Sequence, residues 1–377
     1  MQYRTIDDGP RHRRELWTDD DTNVAHLYVI DYQMRIGDAA IRMAGIGDVY
    51  TEWKHRMKGY MRFLYEDTLT YMTEEGYDVS MLFGIPNFYT KFGYATCLPK
   101  CALKIKTRDA EGAVLAMDAG QSRSIEPGDM PAVLELYATE NMRRTGTLIR
   151  TPEQFTEFDK GTDWGVRAET ALWKDAGGRV LGYLVWDRRL TEVRVAELEA
   201  WDTRLFPTML HSLAEQAVEK RCEQITFDLP PDHAFAEFAQ QFGMTSEIVY
   251  PRYSDGMLRI LNQPPLFEKV VPVLSDRLAA ESNFVPIESL ALETDLGTTA
   301  LRFSGTTVSL GTEKDSRVRL ALSQDKLIQL MMGYRVARDV LDAPGVALEG
   351  ASREDVLPTL DVLFPRGVPF MWTPDHF

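Results

Sequence analysis

Apolar and polar residues alternate along two neighbouring stretches near the amino end of the chain. Residues 24–36 (VAHLYVIDYQMRI) and 39–51 (AAIRMAGIGDVYT) repeat apolar side chains at about every second position, which is typical of β-strands. Gly37 and Asp38 separate the two stretches, so we expect a β-hairpin. From Met57 to Glu75 the apolar period lengthens to three or four residues and stops at Gly76, which predicts an amphipathic helix.

The pattern then returns to short extended segments. Residues 78–83 form a predicted strand, residues 88–91 a short helix and residues 101–107 a further strand. A strand, helix, strand order favours a mixed sheet in which some neighbours run parallel.

A similar order of elements recurs after about residue 123. A strand and helix (124–141), a hairpin (170–187), a strand (193–202), an amphipathic helix (205–222) and a strand (223–230) follow one another. At an offset of 150 residues, FYTKFGY from Phe88 lies over FAQQFGM from Phe238. We interpret this as an internal duplication.

The second copy lacks several polar residues of the first. Tyr89 falls on Ala239, while Arg56 and Gly59 fall near Phe206 and Met209. If the duplication is real, chemistry was kept in the first copy and lost in the second. The remaining residues, from about 264, alternate between strand and helix patterns and predict an α+β domain.

Composition narrows the class of protein. The 377 residues suffice for two or three domains, and no apolar run approaches the roughly 20 residues of a membrane-spanning helix. A net charge of −15 argues against nucleic acid as a partner. The amino end has no apolar signal segment, so we expect a cytoplasmic protein. Cys97, Cys101 and Cys222 fit neither a disulfide framework nor zinc-ligand spacing, and we expect no metal.

The predicted strand 39–51 leads into a basic turn and then a helix. This turn contains His55, Arg56 and Lys58, and Gly59 lies at the helix start. Unpaired amides at a helix start, together with cationic side chains, form a site for a pyrophosphate. Glycine lets the phosphate approach the backbone. A solvent-exposed turn without function is the alternative for this motif taken alone.

Taken together, this basic helix start and FYTKFGY resemble the GNAT acetyltransferase superfamily, from His26 to about Lys106. More closely, AGIGDVYTEWKHRMKGYMRFLYEDTL and FYTKFGYA, followed by a degenerate copy and a third domain, resemble the enhanced intracellular survival (Eis)-like acetyltransferases. This resemblance implies a fold of α/β and α+β class. Two tandem GNAT units would occupy residues 1–122 and 123–263, and a sterol carrier protein-like domain residues 264–377. Only 25 residues precede His26, so the first unit is expected to be shortened at its amino end.

The resemblance also implies roles for individual residues. Val49 and Thr51 would offer backbone groups to the pantetheine arm of acetyl-CoA, and Arg56, Lys58 and Gly59 would hold its pyrophosphate. Tyr89 would be the general acid for the departing thiolate, a role that suits a phenol because its pKa near 10 exceeds that of a thiol. The free carboxylate of Phe377 would be the base, with Asp375 and His376 as alternatives.

The implied activity is an acetyl-CoA-dependent N-acetyltransferase, with acetyl-CoA as cosubstrate. Its acceptor would be a primary amine: a polyamine, an aminoglycoside-like amine or a lysine side chain. The resemblance also implies ring-like homo-oligomers such as hexamers. The alternatives are a catalytically inactive CoA- or lipid-binding relative and a purely structural assembly protein.

Overall fold

The computed structural model describes residues 1–113, 121–281 and 284–377, and within these ranges the chain forms three mixed β-sheets with helices on their faces. The strands are β1 (Gln2–Asp8), β2 (Arg11–Trp17), β3 (Asn23–Ile36), β4 (Ala39–Thr51), β5 (Val79–Gly84), β6 (Ala95–Thr96), β7 (Lys100–Lys106), β8 (Ala168–Lys174), β9 (Val180–Asp187), β10 (Val193–Ala200), β11 (Gln224–Phe227), β12 (Thr245–Val249), β13 (Asp255–Ile260), β14 (Ser289–Thr294), β15 (Gly297–Ser304), β16 (Thr307–Leu310), β17 (Val318–Ala321) and β18 (Ala347–Glu349). The helices are α1 (Tyr60–Glu74), α2 (Thr107–Ala110), α3 (Met130–Glu140), α4 (Phe206–Glu219), α5 (Ala234–Ala239), α6 (Gln263–Ala280), α7 (Gln324–Met331), α8 (Ala337–Leu341) and α9 (Arg353–Leu363). This mixed α/β architecture confirms the predicted fold class.

The first sheet has the strand order β1-β2-β3-β4-β5-β13-β6. β3 and β4 form the predicted antiparallel hairpin. β4 then crosses over through α1 to the parallel strand β5, as a strand, helix, strand unit requires. Before α1 the described chain contains the four strands β1–β4 and a 3₁₀ turn at Trp53–His55, and the amino end folds into the hairpin β1–β2 and extends the sheet.

The second sheet repeats this plan in the order β12-β7-β11-β10-β9-β8. β9 and β10 are antiparallel, α4 follows β10, and β10 pairs in parallel with β11. The two sheets exchange one strand: β7 lies between β11 and β12, whereas β13 lies between β5 and β6 in the first sheet. The predicted division after residue 122 therefore separates two segments whose sheets are intertwined.

The third sheet, β16-β15-β14-β17-β18, is formed by residues after 263. One apolar core is continuous from this sheet through α6 to the first sheet. It contains Met43 and Met81 of the first sheet, Phe267 of α6, and Leu290 and Leu360 of the carboxyl region. A separate core packs α1 against the opposite face of the first sheet. None of the helices in the described ranges is long and apolar enough to cross a membrane.

Candidate active site

The strands β4 and β5 separate at one end of the first sheet. They pair from Met43 with Val79 to Ile46 with Leu82. Beyond Ile46, the edge of β4 that faces away from β3 has no strand partner among the described residues. The β3–β4 register shifts at this point, and Asp48 has a φ of 47°, so a bulge turns the end of β4 away from β5. This geometry leaves residues 47–51, which include Val49 and Thr51, without a strand partner on that edge among the described residues.

In the sequence, the basic turn and the start of α1 directly follow this end of β4. Gly59 has a φ of 80° and precedes the first residue of the helix; no side chain caps the helix, and its first turn has no acidic residue. The first-turn amides are therefore available to an anion. Arg56 and Lys58 are exposed beside them, and Arg56 Nε donates a 3.2 Å hydrogen bond to the carbonyl of Thr51.

Tyr89 lies just after β5, in a 3₁₀ turn that spans Tyr89–Phe92. Its ring belongs to the core on the α1 face of the sheet and lies 5.7 Å from the ring of Tyr65. A Cβ atom built on Gly84, the last residue of β5, would lie 2.8 Å from Tyr89 Cδ2. Tyr89 therefore packs against the end of β5, where the strands diverge.

Burial, with a smaller contribution from Tyr94, raises the pKa of Tyr89 to about 12. The hydroxyl group is therefore protonated throughout the neutral pH range. The same shift makes Tyr89 a weaker acid than a phenol in water, whose pKa is near 10.

Phe377 approaches the diverging strands from the opposite face, within the core that α6 shares with the carboxyl region. Its ring centroid lies 5.1 Å from that of Tyr32 and 5.7 Å from that of Phe83. A Cβ atom built on Gly45 would lie 2.8 Å from the Phe377 ring, and one built on Gly47 would lie 3.6 Å from the Phe377 main-chain carbonyl carbon. Two glycines of β4 thus make room for Phe377.

The two alternative bases in the tail are occupied by other contacts. Asp375 accepts hydrogen bonds from Arg150 at 2.7 Å and from Tyr137 at 3.0 Å. The His376 ring stacks on Phe83 at 3.9 Å. Burial, followed by the positive charge of Lys160, lowers the pKa of His376 to about 3. The imidazole is therefore neutral at physiological pH and a poor proton acceptor.

A cavity of about 750 Å³ opens beside Phe377, Gly47 and Asp48. Its other walls come from the β1–β2 turn, from residues 148–164 and from the tail. Carboxylates outnumber cations among the lining residues: Asp48, Glu153, Glu157, Asp159 and Asp375 against Arg11, Arg150 and Lys160.

Two of the three cations in this cavity are already engaged. Arg150 is paired with Glu197 and Asp375. Lys160 donates to the His376 carbonyl, and burial lowers the pKa of Lys160 to about 8. The charge that the cavity presents is therefore negative. Sequence reasoning missed this wall, because residues 148–164 are irregular and carry no motif.

The corresponding positions of the second copy are filled with apolar side chains. Phe206, Met209 and Ala239 are all buried, and α4 starts at Phe206 within an aromatic cluster. Apolar side chains therefore replace the arginine and the glycine of the first copy at this helix start. Within the described ranges, no group of three or more histidine, cysteine, aspartate or glutamate residues could hold a metal ion.

Comparisons with known proteins concern the sequence of the amino-terminal part and the fold of the chain. Residues 7–97 match the acetyltransferase (GNAT) domain family, and no curated protein matches the chain. A GCN5-related N-acetyltransferase from Kribbella flavida is similar over 97% of this chain and 88% of its own, with 20% identity and a TM-score of 0.71. A conserved protein of unknown function from Enterococcus faecalis V583, described as a probable N-acyltransferase, is similar over 98% and 90%, with 15% identity and a TM-score of 0.74.

Eis1 from Mycobacterium abscessus is similar over 99% of this chain and 92% of its own, with 16% identity and a TM-score of 0.65. At these identities the solved structures establish a shared fold. Residues 7–97 thus match a family of GNAT acetyltransferase domains, which use acetyl-CoA as cosubstrate, and this match supports an acyltransferase.

Proposed function

We propose that the chain is an acetyl-CoA-dependent N-acetyltransferase that transfers an acetyl group to a primary amine by direct attack. One observation carries this proposal. Beyond the gap between β4 and β5, the sequence continues into an uncapped, basic helix start. A negatively charged cavity opens at Gly47 on the same strand, β4. A cosubstrate and an acceptor could therefore meet where the strands diverge.

The α1 side would bind acetyl-CoA. Backbone groups of Val49 and Thr51 would pair with the pantetheine arm, because this edge of β4 lacks a strand partner among the described residues. The first-turn amides after Gly59, together with Arg56 and Lys58, would bind the pyrophosphate. Gly59 is exposed to solvent; among the described residues, a Cβ built there would have only the edge of Phe63 within 4 Å.

The reaction would be a direct transfer. The acceptor nitrogen attacks the thioester carbonyl carbon, the carbon–sulfur bond breaks, and the amine loses one proton while the CoA sulfur gains one. The carboxylate of Phe377 would accept the amine proton. Tyr89 would hydrogen-bond to the departing sulfur and return a proton to it. Holding both reactants at the strand gap would supply much of the rate enhancement.

The cavity favours a cationic acceptor. Its excess of carboxylates attracts amines. A polyamine, an aminoglycoside-like amine and a lysine side chain all fit this chemistry.

The finer architecture belongs to the same proposal. Two GNAT units at residues 1–122 and 123–263 are supported by the repeated order hairpin, helix, parallel strand and by the reciprocal strand exchange. We also propose a sterol carrier protein-like domain at residues 264–377, a cytoplasmic location and a homo-oligomer such as a hexamer.

The test is an acetylation screen in which CoA release is measured with spermidine, an aminoglycoside and a lysine peptide, beside a tertiary amine that cannot be acetylated. We expect turnover with at least one primary amine. Tyr89→Phe should lower kcat by about 10²-fold or more, as loss of a general acid does, while retaining the fold because the ring is kept. Acetyl-CoA binding without turnover of any amine would contradict the proposal and favour the inactive CoA-binding relative.

A further inference from the structure

The carboxyl tail, residues 370–377, runs across the second unit before it reaches the first. Its backbone and side chains contact residues between 137 and 197. The Phe370 amide donates to the Thr145 carbonyl at 2.9 Å, and Trp372 Nε1 donates to Asn141 Oδ1 at 2.9 Å. Trp372 is fully buried. The tail is therefore part of the packed interior of the second unit.

A buried ion triad lies where the tail leaves the second unit. Arg150 binds Glu197 through two hydrogen bonds of 2.7 and 2.5 Å and binds Asp375 through one of 2.7 Å. The side chains of these three residues are 2%, 0% and 1% exposed. The guanidinium also packs on the rings of Tyr137 and Phe155, at 3.7 and 4.0 Å. A charge-assisted network without solvent fixes geometry more tightly than a surface pair does.

The triad occupies the position in the second unit that corresponds to the strand gap in the first. Glu197 follows Gly47 by 150 residues, the same offset that aligns the two copies. β10 has a register shift between Val195 and Glu197. Its parallel pairing with β11 covers Val193 to Val195 only, so β10 also continues past its parallel partner. The first copy has glycine at this point, and the second has a carboxylate that binds the tail through Arg150.

We propose that the second unit has become the holder of the carboxyl tail and that Arg150 and Asp375 are positioning residues for the reaction. The triad fixes Asp375, and the next two residues place Phe377 against Gly45 and Gly47 of the first unit. This inference rests on the proposed acetyltransferase function, because the role of the tail is to bring Phe377 to the strand gap.

The triad suggests which variant tests the idea without unfolding the protein. Arg150→Met would leave Glu197 and Asp375 buried together without a cation, and such a variant fails to fold for reasons unrelated to the tail. Asp375→Asn keeps the volume of the side chain and leaves Arg150 and Glu197 as a neutral pair. It weakens the hydrogen bonds of Asp375 with Arg150 and Tyr137, both of which link the tail to the second unit.

A matched control exists elsewhere in the second unit. Asp129 is also a buried aspartate bound by an arginine, with Arg123 at 2.7 and 2.8 Å. None of its hydrogen bonds in the described structure involves the tail. Lys174 also binds Asp129, at 2.7 Å, and Arg123 is more exposed than Arg150. Asp129→Asn therefore removes the charge of a buried aspartate of the second unit without changing the tail.

The experiment compares the full-length wild-type chain, Asp375→Asn and Asp129→Asn by steady-state kinetics, acetyl-CoA calorimetry and hydrogen exchange of residues 370–377. We expect Asp375→Asn to lower kcat on the order of ten-fold or more, since small displacements of reacting groups have large effects on rate. Its acetyl-CoA affinity should be unchanged, and exchange in the tail should become faster. Asp129→Asn should keep wild-type kcat and tail exchange while losing thermal stability.

Two results would overturn the inference. Tail exchange in Asp375→Asn that equals wild type would show that the triad does not hold the tail. An equal fall of kcat in both variants would show a general effect on folding. If wild-type protein acetylates no amine, the proposed function fails, whereas the exchange measurement still decides whether the triad holds the tail.

Discussion

Gly45→Ala tests whether the position of Phe377 matters for catalysis. Gly45 lies in the middle of β4 and does not have a positive φ, so alanine adds one methyl group without backbone strain. That methyl carbon would lie 2.8 Å from Phe377 Cε2 and 3.0 Å from Cδ2 and Cζ. Carbon atoms in contact are about 3.5–4.0 Å apart, so the ring must retreat by about 1 Å.

The ring has little space for this movement. Phe377 is 8% exposed and is confined by Tyr32 and Phe83, so its main chain must move with it. A displacement of about 1 Å can cost about 10²-fold in rate, which corresponds to about 2.7 kcal/mol in activation free energy. Overpacking should also cost about 1–3 kcal/mol of folding stability. Acetyl-CoA should still bind, because Gly45 is outside the unpaired end of β4.

The assay is steady-state CoA release with the best amine from the screen, beside calorimetry with acetyl-CoA. Phe377→Ala provides the control background, because it keeps the main chain and removes the ring that the new methyl group would meet. In that background Gly45→Ala should have no further effect on kcat, which a double-mutant cycle detects. Wild-type kcat in the single variant would refute the reasoning, as would the same loss of kcat in both backgrounds.

Two further predictions concern stability. The pKa of His376 is lowered from its ordinary 6.5 to about 3. Between these two pH values, the unfolded chain binds a proton that the folded chain does not. Wild-type stability is therefore full above pH 6.5 and falls as the pH drops towards 3. His376→Phe keeps a ring against Phe83. When the pH falls from 7.5 to 5, its free energy of unfolding in denaturant should decrease by on the order of 1–2 kcal/mol less than that of wild type. Equal decreases in the two proteins would contradict this sign. Phe267→Ala should lower the free energy of unfolding by about 3–5 kcal/mol. It should also lower the unfolding temperature of the first sheet and of the carboxyl region together, because Phe267 lies in the core that they share. Separate transitions in calorimetry would contradict a common core.

The local elements of the first unit could be predicted from the sequence. The alternation of residues 24–51 places β3 and β4 closely, and the helical period from Met57 predicts the start of α1 three residues too early. These signals are local, because each arises from the faces of a single strand or helix. The exchange of β7 and β13 could not be predicted in the same way. Pairing of Leu258 with Met81 joins residues 177 positions apart, and alternation does not identify a strand's partner.

The candidate site shows the same limit. The helix start and Tyr89 form local motifs, and the structure brings both to the diverging end of β4 and β5. The ion triad was missed, although one signal was present. Glu197 and Glu199 alternate with apolar residues in the second half of the strand VRVAELEA, and a carboxylate at a buried position requires a cation or several donors. The sequence alone could not identify Arg150 as that cation, because the residues around it have no regular period.

Binding of acetyl-CoA at the start of α1 is the central claim, and isothermal titration of acetyl-CoA into wild type, Gly59→Asp and Gly59→Asn tests it most directly. Asparagine and aspartate both tolerate the left-handed backbone at Gly59 and differ mainly in charge. A carboxylate about 4 Å from a phosphate charge costs about 4 kcal/mol at an effective dielectric constant of 20. We predict micromolar binding to wild type, similar binding to Gly59→Asn and none detectable to Gly59→Asp. No binding to folded wild type, or equal binding to both variants, would contradict the account.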